Sequence, residues 1–148
     1  MSSTSITPYL YFSGRCEEAM EFYRKALDAK IEMMMRFSES PTPLPPGTFR
    51  AGFENKVMHA TICIGESRLM ASDVFDDKSK FEGFRLTLTV ATEVAAIKTF
   101  AALAEGGSVQ MPLSQTFWSP CYGVVTDRFN IGWMVMVAGG ESYKPQLP

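Results

Sequence analysis

A single histidine, His59, bounds the acid-base and metal chemistry open to this 148-residue chain. One imidazole excludes a histidine pair and any histidine-based metal cluster. Alternation along 57–64 sets His59, Thr61 and Cys63 against Ala60, Ile62 and Ile64. On that polar side His59 can serve as a general base, since imidazole ordinarily changes charge near neutral pH. The plainer role is a half-buried histidine bonded to a neighbour. Arg85 shares an alternating face with Thr87 and Thr89, where a guanidinium can grip a carboxylate or phosphate-like group with two hydrogen bonds. Its plainer role is an ion pair with Asp73 or Glu82. Trp118, with Thr116, Phe117 and Tyr122, can stack on a planar ligand or close a cavity mouth, or it can simply pack. No G-x-S-x-G occurs and no cysteine has an evident histidine partner, so a nucleophilic triad is not visible.

Composition narrows the function classes. The chain is 46% apolar and 20% charged, as in ordinary globular proteins. A net charge of −2 and a pI near 5.4 argue against nucleic acid or an anionic membrane as a partner. No apolar run reaches the ~20 residues of a membrane span. Residues 1–5 lack the charged and apolar regions of a signal peptide. Cys16, Cys63 and Cys121 are odd in number and widely spaced, which fits reduced thiols in the cytoplasm.

These residues need elements to hold them. Residues 6–12 read as a strand with Pro8 near its edge, and 16–27 as a helix burying Ala19, Met20, Tyr23 and Leu27. A strand over 31–37 precedes a proline-rich stretch, 38–47, that excludes regular structure. Residues 57–64 and 67–72 form a hairpin, and Asp73 suits a cap on the loop that follows. A strand over 84–90 leads to a helix, 93–105, with Ala96, Ile97, Phe100, Leu103 and Ala104 inward, stopped by Gly106 and Gly107. Strands over 108–113, 124–126 and 132–137 finish the chain, with Trp133 packed under a helix.

The halves repeat. A shift of roughly 77 residues lays the first strand and helix on the fifth strand and second helix, each half reading βαβββ. The expectation is one α+β domain over 1–148, built of paired modules, about 6–75 and 82–138, with curved sheets around a cavity and helices outside.

Three stretches carry a family resemblance: T-P-Y-L-Y-F-S-G-x-C-x-E-A-M-E-F-Y (7–23), H-A-T-I-C-I-G with L-M-A-S-D (59–65, 69–73), and Q-T-F-W with V-T-D-R-F-N-I-G-W-M (115–118, 125–134). They resemble PhnB-like proteins of the vicinal-oxygen-chelate superfamily, which includes glyoxalase I, extradiol dioxygenases and bleomycin-resistance proteins. Such sequences are often labelled 3-demethylubiquinone 3-methyltransferase-like. The resemblance implies paired βαβββ modules, usually in a homodimer. It also implies a divalent metal held by His or Glu at four strand positions. By alignment these fall on Pro8, around Leu69 or Met70, on Arg85 and on Met134, none of which is a metal ligand. A methyltransferase lacks support, because no Gly-rich loop follows the first strand to hold an adenosyl cofactor.

The resulting expectation is a cytoplasmic, metal-free and cofactor-free binder of a small organic ligand. Arg85, Thr87, Thr116, Trp118, Tyr122, Met70 and Met134 are its contact residues. The alternative is an enzyme of the lyase, isomerase or dioxygenase type, either metal-dependent through other ligands or metal-free with His59 as base.

Overall fold

The computed structural model describes residues 3–73 and 80–139. The chain divides into two compact units, Met1–Ser79 and Lys80–Pro148. The first holds β1 (Tyr9–Tyr11), α1 (Cys16–Ala26), β2 (Lys30–Arg36), β3 (Val57–Ile64) and β4 (Ser67–Ser72). The second holds β5 (Leu86–Val90), α2 (Glu93–Ala104), β6 (Ser108–Ser114), β7 (Tyr122–Thr126) and β8 (Gly132–Val137). The strand orders are β1-β4-β3-β2 and β5-β8-β7-β6. In each sheet the first strand runs parallel to its neighbour and the other pairs are antiparallel. The architecture is therefore α+β, two copies of one βαβββ plan.

The helices form for local reasons and are held by distant ones. Helix α1 has Glu17 and Glu18 in its first turn and Arg24 and Lys25 in its last, which suits the helix dipole. It buries Cys16, Ala19, Met20 and Tyr23. Arg15, at its N-cap, gives no side-chain cap. Asp73 does so instead: its Oδ1 accepts from the Gly14 and Cys16 amides at 2.7 and 2.9 Å, and its Oδ2 from Val57 at 2.8 Å. The carboxylate thus caps a helix far back in the chain and pins the start of β3. The expected cap on the following loop falls on residues 74–79, which lie outside the described ones.

Helix α2 is capped by Thr92, which accepts from the Ala95 amide at 3.1 Å. It ends before Gly106, whose φ of +78° is the left-handed turn glycine supplies without steric penalty. Its buried row is Ala96, Phe100 and Leu103, while Ile97 is 55% exposed. The inward placement of Ile97 is thus corrected. A helix that is apolar nearly all round does not declare its buried stripe by pattern.

The remaining differences are short. Phe37 opens a 3₁₀ turn (Phe37–Glu39) instead of ending β2, and so enters the proline-rich stretch. That stretch is tied back by Phe37 and Ser38 amides donating to the Lys56 and Glu54 carbonyls, and by Phe37 stacking on Phe49. The 77-residue shift also needs correction. It lays Tyr9 on Leu86, but these point to opposite faces of their sheets. A one-residue slip inverts a strand, and the register equivalent of Tyr9 is Thr87, as each pairs with a methionine, Met70 or Met134.

Candidate functional site

Strand pairing sorts the first sheet into two faces. Leu10, Ala60, Ile62, Leu69 and Ala71 are buried on the side of α1. Tyr9, Met70, Thr61 and Met33 form a row across the other side, with Met35 and His59 beside each other in the next row. This second face is half-buried to exposed, with Tyr9 at 37%. It is a surface of phenol rings, thioethers and hydroxyls.

His59 is engaged at both ring nitrogens. Tyr9 Oη lies 3.0 Å from Nδ1 and Thr61 Oγ1 lies 3.3 Å from Nε2. The Tyr9 ring tilts against both Tyr11 and His59, with centroids 5.1 and 5.6 Å away. Burial, first of all, raises the Tyr9 phenol above its ordinary pKa, opposed by a hydrogen bond with Ser72. Tyr9 was not singled out by sequence. Tyr9 and Tyr11 alternate with Leu10 and Phe12, and a run of aromatic and apolar residues conceals which side faces outward.

In the second sheet Trp133, Val135 and Val125 are buried on the side of α2, where Gly123 lies against Phe100. Trp133 therefore packs under a helix as expected. Thr87, Met134, Val124 and Met111 form a row on the opposite face, equivalent to the row through Tyr9. The Thr87 hydroxyl lies 3.8 Å from the Met134 sulfur. Arg85 lies across Gly132 on this face and donates from Nη1 to the Val125 carbonyl at 3.3 Å. A side chain at 132 would displace that guanidinium. Trp118 meets Phe117 and Tyr122 edge-on, with centroids 4.5 and 5.0 Å away, and Tyr122 is buried beneath it. Thr116 has a local duty: its Oγ1 accepts from the Trp118 and Ser119 amides, shaping the turn that carries Trp118. His59 and Met70 thus share one sheet face, and Arg85, Thr87, Met134 and Tyr122 share another.

These residues do not fit the divalent metal of the resembled superfamily. The register-matched pairs, Tyr9 with Met70 and Thr87 with Met134, offer phenol, thioether and hydroxyl, where such metals take imidazole or carboxylate. Pro8 alternates with Tyr9 and so shares the side of Leu10. Among the described residues no three His, Cys, Asp or Glu side chains gather to hold an ion.

The thiols are not activated either. Burial, then the neighbouring Asp73 and Glu17 charges, pushes Cys16 well above the ordinary thiol range. Burial likewise raises Cys121, and a hydrogen bond with Glu32 raises Cys63. A thiol that resists ionising when folded stabilises the native state below the unfolded thiol pKa of about 8.5, and that contribution fades as pH rises further. The urea midpoint should accordingly fall progressively above pH ~8.5. Cys16→Ala should flatten that alkaline slope, and parallel slopes for wild type and variant would refute this account.

The Glyoxalase/Bleomycin resistance protein/Dioxygenase superfamily model matches residues 5–135. Protein YjdN of Escherichia coli (strain K12) is 30% identical over 138 residues, 89% of this chain and 94% of YjdN. The crystal structure of PA1353 from Pseudomonas aeruginosa has a TM-score of 0.80 at 41% identity, covering 92% of this chain and 98% of PA1353. The PhnB protein from Bacillus cereus, provisionally labelled a 3-demethylubiquinone-9 3-methyltransferase, has a TM-score of 0.74 at 28% identity, covering 91% of this chain and all of its own. Matching topology in both modules agrees with these likenesses: the chain belongs to the Glyoxalase/Bleomycin resistance protein/Dioxygenase superfamily.

Proposed function

We propose that the chain binds a small organic ligand without a divalent metal, as a homodimer in the cytoplasm. One observation carries the reading. The register-matched positions Tyr9/Met70 and Thr87/Met134 present soft and hydroxyl groups on the sheet faces away from the helices. Thioethers and aromatic rings adapt to flat apolar molecules, and a few hydroxyls suffice to orient them. In this reading Met70 supplies contact surface on the first sheet and Thr87, Met134, Trp118 and Tyr122 supply it in the second unit, where Thr116 holds the Trp118 turn and Arg85 takes an acidic group on a ligand. Three free thiols suit a reducing compartment. No helix among the described residues is long and apolar enough to cross a membrane.

Native mass spectrometry of protein purified without chelator or affinity metal tests the reading. The expected spectrum is a metal-free dimer carrying an additional organic mass. About one Mn, Ni, Zn or Fe ion per subunit would instead mean that the donor positions are other than those assigned, and the binding proposal would fall.

A further inference from the structure

Tyr9 and His59 come together across the first sheet although 50 residues separate them. A neutral imidazole has one donor and one acceptor. Of the two hydroxyls on His59, one must therefore donate and the other accept. A phenol is a stronger acid than an aliphatic alcohol, and its oxygen is the poorer acceptor. The 3.0 Å contact is then Tyr9 O–H donating to Nδ1, and the 3.3 Å contact is Nε2–H donating to Thr61. Elevation of the phenol pKa by burial keeps the Tyr9 proton in place. With its hydrogen given to Nδ1, the Tyr9 oxygen keeps its lone pairs for a further donor.

We propose that Tyr9, His59 and Thr61 form a proton-relay site for a small planar molecule bearing an acidic O–H, a phenol or an enol, with Tyr9 as the group that touches it. The ligand O–H bond breaks and its proton passes to Tyr9 Oη. The original Tyr9 proton passes to His59 Nδ1. The products are a bound oxyanion and an imidazolium whose Nε2–H still donates to Thr61, with no change of oxidation state. Tyr11, Met33 and Met70, on the same face, supply ring and thioether surface to a flat ligand. His59 then acts through Tyr9, which covers its accepting nitrogen. This deepens the ligand-binding reading and rests on it for the location of the site.

With one histidine in the chain, the imidazole nitrogen NMR resonances belong to one residue. In ligand-free protein they should report the Nε2–H tautomer, and Tyr9→Phe should shift the Nδ1 resonance by removing its donor. Saturating 4-nitrophenol should convert the wild-type imidazole to imidazolium while the probe absorbs as its phenolate. In Tyr9→Phe both changes should be lost, although the ring surface is intact. In Thr61→Val the tautomer should become mixed. An Nδ1–H tautomer in ligand-free wild type would overturn the relay. The expected tautomer with 4-nitrophenol bound neutral, or unbound, would overturn the acidic O–H ligand class. Either failure is distinct from failure of the binding reading, which is a bound metal in the native mass spectrum.

Discussion

Replacing Asp73 by alanine is expected to destabilise the first unit by about 3 kcal/mol or more, because three backbone amides each lose a partner worth about 1–3 kcal/mol when unsatisfied. Asp73 is only 2% exposed, and its oxygens hold the Gly14, Cys16 and Val57 N–H groups. Two lie at the start of α1 and the third starts β3, so the carboxylate joins helix to sheet. Domains are stable by only about 5–15 kcal/mol, so the loss is a large fraction of the whole. Asp73→Asn preserves shape and one acceptor but turns an NH₂ toward a backbone N–H, and it should fall between wild type and alanine. Urea denaturation followed by circular dichroism measures the loss, and amide hydrogen exchange at 14, 16 and 57 locates it. An alanine variant within about 1 kcal/mol of wild type would show that water replaces the cap, contrary to the argument.

Asp127 should be nearly as sensitive in the second unit. It is 1% exposed and its Oδ1 accepts from Phe129 and Ile131, closing the turn between β7 and β8. Asn130, with φ of +70°, completes that turn. Oδ2 accepts from Trp133 Nε1 at 2.8 Å, tying the turn to a side chain buried beneath α2. Asp127→Ala should cost about 3 kcal/mol or more through three stranded donors. The Trp133 bond is isolated by a double-mutant cycle of Asp127→Asn and Trp133→Phe, with an expected coupling of about 1.5–3 kcal/mol for a hydrogen bond to a charged group. Additive losses would mean that Asp127 serves the turn alone.

Both carboxylates show where a sequence stops informing. The residues around Asp127 contain its partners, so D-R-F-N-I-G-W reads at once as a turn between strands. Asp73 has its partners 57 and 59 residues earlier and 16 residues earlier, and nothing in its local pattern names them. The same distance hides Tyr9 from His59. That His59 and Thr61 share one side of a single strand is legible from alternation, whereas Tyr9 arrives through the parallel β1–β4 pairing. Arg85 was readable as sharing a face with Thr87, but its Val125 carbonyl partner emerges only when β5, β8 and β7 lie side by side.

By itself, then, the sequence determined the element types, the doubled βαβββ plan and the residue chemistry. Periods of two and 3.6, glycine stops and proline positions act over a few residues, and a single histidine is a matter of composition. Only the tertiary structure decided which strand phase faces away from the helices, which stripe of an all-round apolar helix is buried, and which side chain covers the imidazole. Those outcomes depend on pairing between segments tens of residues apart. A one-residue change of register there would exchange Tyr9 for Leu10 on that face while leaving every local pattern unchanged.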